Sequence, residues 1–330
     1  MSPHSPEKVL ELARKFTESR ILLTGAELDI FTLLAEKSLT AQEIVDKLQA
    51  HSRPMTILLD ALSAMGLLVK QDGQYRTESA LVSSLSSKSP DSILPMILHN
   101  VSLWKTWSGL TAIVMETGAP QRPAAIFRDK AELGAFIGAM HVAGAPQAAR
   151  LTAMLDPEKY KTLLDVGGAS GTYTLAFLQA NQNLRATLFD KPEVVEMARE
   201  RLGQAGVLDR VSLAPGDFHY DDLPPGHDLA LLSAIIHQND PEKNLDLYRK
   251  VYAALESGGR VIIRDHVMKS DRTEPRSGAV FAVNMLTATS GGGTYTFDEI
   301  KAGLIKAGFT GVNLLQEGEG MNCLVEAYKQ

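Results

Sequence analysis

The stretch from Leu163 to Gly171 constrains the fold of this chain more than any other. Leu163, Leu164, Asp165 and Val166 read as a short apolar strand. Gly167, Gly168, Ala169, Ser170 and Gly171 then make a tight turn, and Thr172 to Phe177 open a helix. This is how a parallel strand passes into a helix whose N-terminus faces a ligand. Glycine lets the backbone turn sharply and approach what is bound, and free amides of the first helical turn point at it. Many nucleotide-binding proteins share such a turn, so the residues beyond it must narrow the reading.

Apolar strand candidates fall at Leu163–Val166, Ala186–Phe189, Val211–Ala214, Leu229–Ile236 and Val261–Ile263, with helices at Glu193–Leu202 and Pro241–Leu255. This alternation predicts an α/β, doubly wound (Rossmann-like), mostly parallel sheet, with ligands beyond the carboxyl ends of its strands. Asp190 closes the second strand, slightly beyond the spacing of about 20 residues at which such folds place an acid on ribose hydroxyls. The alternative for Asp190 is a solvated turn before Pro192. Asp217 and Phe218 follow the third strand after Gly216, where a carboxylate can accept from an adenine amino group and a phenyl ring can cover a ring face. A Gly-Asp pair suits any turn equally well.

His237 stands at the end of the predicted central strand. Asp240 and Pro241, three and four residues on, have the residue types of an N-cap and a first helical position. Rigid elements on both sides would hold the imidazole at the ligand crevice, where it can remove a proton near neutral pH. Asp265 ends the next strand beside His266. It can orient His237 and stabilise its protonated form, or simply cap the strand. Neither group has the paired spacing of a metal centre, so no metal is expected.

The chain up to about residue 150 reads almost entirely as helices, and 330 residues suit two domains. The predicted division is a mainly α-helical N-terminal domain over 1–150 and a cofactor-binding catalytic domain over 151–330. Thr40 and Glu43 have capping-box spacing ahead of Ile44, Val45 and Leu48. Ser52 and Pro54 open a second helix that stops at Gly66. Leu67–Lys70 and Gln74–Thr77 flank Asp72 and Gly73 as a hairpin. Helix, helix and hairpin in this order predict a winged helix. Ser83–Pro90 reads as a surface loop and Ile93–Val114 as helix, with a break at Gly118, Ala119 and Pro120.

A winged helix raises the possibility of DNA binding, which charge argues against. No Lys or Arg lies between Arg53 and Lys70, on the helix that would enter a major groove, and the net charge is −6. An apolar helix face here suits packing against a second copy of the chain. Aromatic and Met residues such as Trp104, Trp107, Phe136 and Met140 suit either plain core or a pocket wall. Cys323 is the only cysteine, so neither an intrachain disulfide nor a Cys-based metal site is available. No stretch has a signal-peptide pattern or bilayer-spanning length, and a cytoplasmic location without a membrane partner is expected.

Leu163–Gly171, Asp190 with Lys191 and Pro192, Gly216–Phe218 and the strand leading to His237 together resemble the two-domain class I S-adenosylmethionine-dependent O-methyltransferases. The nearest patterns are the caffeate-type and hydroxyindole-type enzymes and their bacterial natural-product counterparts. The resemblance runs from the winged helix through Trp107, Ser108 and Phe136–Met140 to Met285, Gly291 and Gly292. It implies S-adenosyl-L-methionine as cofactor, with Gly167, Gly168 and Gly171 near its methionine part, Asp190 on the ribose, and Asp217 with Phe218 at the adenine. Ser233 falls at a further cofactor contact, often a Lys or Arg. His237 matches the general base, and Asp265 stands where a Glu is common. Trp107, Phe136, Met140, His141 and Met285 match the substrate pocket or adjoin it. The N-terminal domain is implied to form a homodimer.

Three departures bear on the acceptor. Gln238 and Asn239 follow His237 where Asp and Trp are frequent, Thr294 replaces a second orienting carboxylate, and Ala169 replaces a common glycine. The expected reaction is methyl transfer to a hydroxyl of a small, aromatic acceptor. The alternatives are a sulfur, nitrogen or carbon acceptor, or a winged-helix regulator that senses a small molecule.

Overall fold

The computed structural model describes residues 5–117 and 130–330. It forms two compact units: one takes the chain up to Lys105 together with Ala131–Val142, and the other contains Ala143–Gln330 and the segment that begins at Thr106. The expected boundary near residue 150 falls inside the helix Lys130–Leu155. Among the described residues, no helix is long and apolar enough to cross a membrane.

In the first unit, helices Ala41–Leu48 and Ser52–Ala64 precede a hairpin of Leu68–Gln71 and Gln74–Thr77, joined by the short strand Leu39–Thr40. The capping box forms as expected. The Thr40 amide donates to Glu43 Oε2 at 2.7 Å, and the Glu43 amide donates to Thr40 Oγ1 at 3.3 Å. Ile30, Phe31, Ile44, Leu59, Leu62 and Tyr75 make the buried core of this unit. Arg53 lies on the second helix itself and is its only basic residue.

Two expectations need correction. The helix predicted over Ile93–Val114 is two helices, Leu94–Trp107 and Leu110–Met115, interrupted at Ser108 and Gly109. The Ser-rich stretch is not wholly loop: Val82–Leu85 is helical and Ser86 is buried. The break predicted at Gly118, Ala119 and Pro120 lies outside the described residues.

The second unit is built on seven strands: β1 (Thr162–Val166), β2 (Arg185–Asp190), β3 (Val211–Pro215), β4 (His227–Ser233), β5 (Leu255–Asp265), β6 (Thr310–Gln316) and β7 (Cys323–Tyr328). Their order across the sheet is β6-β7-β5-β4-β1-β2-β3. The five strands from β5 to β3 are parallel, while β7 runs antiparallel to β5 and β6 antiparallel to β7. Four helices pack on it, α1 (Thr172–Ala180), α2 (Pro192–Gln204), α3 (Pro241–Ala254) and α5 (Phe297–Lys306), while α4 (Arg276–Ala288) lies against Val267 and Met268 just beyond β5.

Alternation along each strand supplies two apolar faces. Leu164, Val166, Leu232 and Ile263 pack with Leu247 and Val251 of α3 and Leu304 of α5. Leu163, Leu188, Leu231 and Ile262 pack with Phe177 of α1 and Leu202 of α2. Register aligns the carboxyl ends. Val166 pairs with Phe189 and Leu232, Asp190 with Pro215, and Ser233 with Arg264. Asp190, Ser233 and Asp265 therefore come to one edge of one sheet.

Strand β4 is shorter than its apolar run. It stops at Ser233, Ala234 takes a left-handed φ of 59°, and Ile236–Gln238 form one 3-10 turn. His237 thus sits in a turn beyond the strand rather than at its last residue. Leaving the sheet at Ala234 turns Ile235 over the Gly-rich loop, where a Cβ on Gly167 would come within 2.4 Å of Ile235 Cδ1.

Candidate active site

The Gly-rich loop is a compact hub. Gly167 and Gly171 have φ of 70° and 75°, and Gly171 is the N-cap of α1. The loop amides are largely occupied within the protein. Those of Gly167 and Gly168 donate to the Phe189 carbonyl at 2.8 and 3.4 Å, and that of Gly171 donates to the Gly168 carbonyl at 2.8 Å. The Ala169 amide donates to Asp190 Oδ2 at 2.8 Å. These four amides precede the first turn of α1, whose amides are the ones expected to face a ligand. The role of these four is to hold the turn, and the glycines make room for it.

Ala169 has a φ of 49°, so this substitution does not sit in an ordinary backbone conformation. A Cβ in the left-handed region costs roughly 1–2 kcal/mol, and the Ala169–Asp190 hydrogen bond helps to hold it there.

The carboxylates fall where expected along the edge. Asp190 Oδ1 also accepts from the Lys191 amide at 2.7 Å. Burial pushes the Asp190 carboxyl up, with the amides of Lys191 and Ala169 pulling the other way. Asp217 Oδ1 accepts from the His219 amide at 3.0 Å, and Asp217 Oδ2 lies 3.9 Å from Lys191 Nζ. Phe218 is half-buried against the core, and its carbonyl accepts from Lys250 Nζ at 2.9 Å. Beneath the loop, Asp165 is buried and accepts from Thr174 Oγ1 at 2.7 Å. Burial raises its pKa to about 6.

His237 and Asp265 meet directly. His237 Nδ1 is 2.9 Å from each oxygen of the Asp265 carboxylate, and the two residues are 6% and 1% exposed. The carboxylate is further held by the amides of His266, at 2.8 Å to Oδ1, and His237, at 3.4 Å to Oδ2. Burial works to raise the Asp265 carboxyl, but the attraction and hydrogen bond of His237 and the His266 amide outweigh it and leave it below the usual range. The ring of His266 is pushed down to about 4, chiefly by burial. A neutral His266 leaves the Asp265 charge directed at His237.

A buried polar network fixes the turn that carries His237. Asn244 Nδ2 donates to the Ile236 carbonyl at 2.9 Å, Asn239 Nδ2 donates to Asn244 Oδ1 at 3.0 Å, and the Tyr295 hydroxyl donates to the Asn239 carbonyl. Asp240 caps α3 as expected, accepting from the Lys243 amide at 2.8 Å. The Gly293 amide donates to the His237 carbonyl at 2.9 Å, and a Cβ on Gly292 would stand 2.4 Å from that carbonyl oxygen. Only glycine at 292 permits this approach.

Of the expected pocket residues, Trp107 and Met285 lie in the same unit as His237. Met285 is buried on α4, and Trp107 Nε1 donates to Asn284 Oδ1 of that helix at 2.9 Å. Phe136, Met140 and His141 belong to the other unit, where Phe136 sets its ring edge-on to His99 with centroids 5.3 Å apart.

Sequence reasoning misses four residues. Phe281 of α4 meets the His237 ring edge-on at 4.9 Å and stacks on His266 at 4.7 Å. Asn284 receives Trp107, and Ile235 covers Gly167. Arg264 is buried one position before Asp265, with Nη1 3.3 Å from Ser233 Oγ. An arginine directly after Val261, Ile262 and Ile263 in a central strand is the available signal for the last.

Comparison with known proteins gives a consistent picture. A family model of the O-methyltransferase domain matches residues 119–310, and one of the O-methyltransferase dimerisation domain matches residues 10–85. The chain is 32% identical over 323 residues to the tetracenomycin polyketide synthesis 8-O-methyl transferase TcmO of Streptomyces glaucescens, covering 94% of this chain and 95% of that one. It is 30% identical over 333 residues to the 3-hydroxy-5-methyl-1-naphthoate 3-O-methyltransferase of Streptomyces sahachiroi, covering 98% and 95%. A solved structure of PigF with SAH superposes with a TM-score of 0.89 at 25% identity, covering 99% of this chain and all of that one.

Proposed function

The chain belongs to the O-methyltransferase family, and on that premise we propose that it methylates a hydroxyl group of a small aromatic acceptor with His237 as general base. The single observation that carries the base assignment is the contact of His237 Nδ1 with both oxygens of the buried Asp265 carboxylate. A carboxylate on Nδ1 favours the tautomer with its proton there, which leaves Nε2 free to accept one. It also stabilises the imidazolium that forms when the acceptor hydroxyl gives up its proton.

S-adenosylmethionine, when bound, supplies a methyl group already activated by its sulfonium. The donor set suits that cofactor. Asp190 would offer a carboxylate to two ribose hydroxyls, Asp217 would accept from an exocyclic amine, and Phe218 would offer a ring face. The turn that Gly167, Gly168 and Gly171 allow would stand beside the methionine part, and Ser233 offers a hydroxyl at the neighbouring strand end. Alignment of donor and acceptor supplies most of the remaining rate.

Met285 and Trp107, which share the unit of His237, are proposed to line the acceptor pocket, while Phe136, Met140 and His141 of the first unit match substrate positions of the family. The hydroxynaphthoate named for the Streptomyces sahachiroi relative supports an aromatic substrate here. A homodimer formed through the N-terminal domain is supported by the match to the dimerisation model. A nucleic-acid partner is disfavoured, because Arg53 is the only basic residue on the second helix of the winged helix.

The test is product analysis with methyl-labelled S-adenosylmethionine against a panel of polycyclic phenols and matched thiols, amines and carbon nucleophiles. Label is expected in an aryl methyl ether. Label found only on sulfur, nitrogen or carbon would refute the hydroxyl assignment.

A further inference from the structure

Among the described residues, Arg264 is a buried cation without a counter-charge. It is 8% exposed, and among the described residues no carboxylate pairs with it. Its contacts are a hydrogen bond from Nη1 to Ser233 Oγ at 3.3 Å and the face of the Tyr173 ring, 5.5 Å from the guanidinium carbon. Both hold the guanidinium in place, and neither neutralises it. A second polar group beside it is also unsatisfied: among the described residues the buried Tyr173 hydroxyl has only the Ser233 side chain near it and no well-formed hydrogen bond. Buried charges and hydroxyls are ordinarily paired, so two orphaned groups side by side mark a place for an anionic acceptor of hydrogen bonds.

The position indicates which anion. Arg264 pairs in register with Ser233 at the carboxyl edge of the sheet, and Tyr173 is the second residue of the helix that Gly171 caps. Successive strand residues face opposite sides. Asp265 turns to His237, and Arg264 turns to Tyr173 in the first turn of α1. The positive end of α1 lies on the same side and adds to the attraction for negative charge.

We propose that Arg264, held by Ser233 and Tyr173, binds the carboxylate of the cofactor's methionine end. A guanidinium takes a carboxylate through two parallel N–H donors, and the Tyr173 hydroxyl adds a third. The inference rests on the cofactor reading above and extends it to one residue that sets affinity for the amino-acid end. Arg264 is a binding residue here and takes no part in the proton transfer.

The experiment is a binding titration without any acceptor, comparing S-adenosylhomocysteine with 5′-methylthioadenosine, which has no amino-acid end. Arg264→Met should weaken S-adenosylhomocysteine about 10–100-fold, the range for a charge-assisted hydrogen bond to a carboxylate, and leave methylthioadenosine within about twofold. Arg264→Lys keeps the charge without the fork and should fall between. Equal weakening of both ligands by Arg264→Met, or none, would overturn the proposal. No loss is also the result if Arg264 instead meets an acid on the acceptor. A ligand-side version needs no variant. The carboxamide of S-adenosylhomocysteine should bind the wild-type chain at least about tenfold more weakly than the acid, and equal binding would overturn the proposal. A wild-type chain that bound neither nucleoside would overturn the cofactor reading, and this inference with it.

Discussion

Asp265→Asn tests the proposed proton transfer with almost no change of shape. In the native site Oδ1 accepts from the His266 amide and Oδ2 from the His237 amide, and both oxygens face His237 Nδ1. An asparagine must put its NH2 in one of those places. The closer amide, at 2.8 Å, requires the oxygen at the Oδ1 position. The NH2 then faces Nδ1, which favours the tautomer with the proton on Nε2 and removes the base. The substitution also deletes the charge opposite the imidazolium. Unit charges about 4 Å apart attract by about 4 kcal/mol at an effective dielectric near 20. At about 1.36 kcal/mol per decade this is about 10³-fold in kcat.

The assay is single-turnover methyl transfer from labelled S-adenosylmethionine, with cofactor affinity measured separately by titration. The expected result is a loss of about 10²–10⁴-fold in rate with cofactor affinity unchanged. Asp265→Glu restores the charge and should recover most of the rate. Full turnover in Asp265→Asn, or a loss shared equally by Asp265→Glu and cofactor binding, would refute the reasoning.

Other outcomes follow from the same geometry. Asp165 has a folded pKa of about 6, above the ordinary carboxylate value near 4. Its contribution to stability is therefore full below about pH 4 and is lost as the pH rises through 6, by about 1–3 kcal/mol. Asp165→Asn, which can still accept from Thr174, should flatten that decline in urea unfolding of the cofactor-free chain between about pH 4 and 7. An unchanged slope would count against it. Ala169→Gly relieves the left-handed φ of 49° and should raise the unfolding free energy in urea by about 0.5–1 kcal/mol, after the entropy of glycine in the unfolded chain is deducted. A lower stability would show that the strain is absent. Gly292→Ala would drive a methyl to 2.4 Å from the His237 carbonyl. It should destabilise by about 1–3 kcal/mol and depress kcat more than cofactor affinity. A variant with native kinetics would contradict the close packing.

Much of this arrangement is legible in the sequence. Local signals that satisfy backbone groups are the most reliable: the Thr40–Glu43 capping box, the Asp240 cap and the Asp72–Gly73 hairpin all form. The alternating apolar runs predict the parallel sheet, and the sheet then brings Asp190, Ser233 and Asp265 to one edge by register alone. Failures come where tertiary contacts override periodicity. The apolar run Leu229–Ile236 reads as one uninterrupted strand, and nothing in its pattern marks the bend at Ala234. That bend serves the packing of Ile235 on Gly167, a contact made across the sheet edge.

The tight Gly-rich turn is legible in sequence, but the partners that hold it, the Phe189 carbonyl and the Asp190 carboxylate, come from the neighbouring strand and are not. Residues far apart in sequence are the least legible. Phe281 and Asn284 have ordinary helical neighbours, and only their contacts with His237 and Trp107 single them out.

The central claim is that His237 removes the acceptor proton at a site that binds the cofactor without its help. Its most direct test is single-turnover methyl transfer by His237→Ala at saturating S-adenosylmethionine, beside a titration of cofactor binding to the same variant. The expected result is a fall of about 10²–10⁴-fold in the transfer rate with cofactor affinity unchanged. Native transfer rates in a variant that binds the cofactor normally would contradict it.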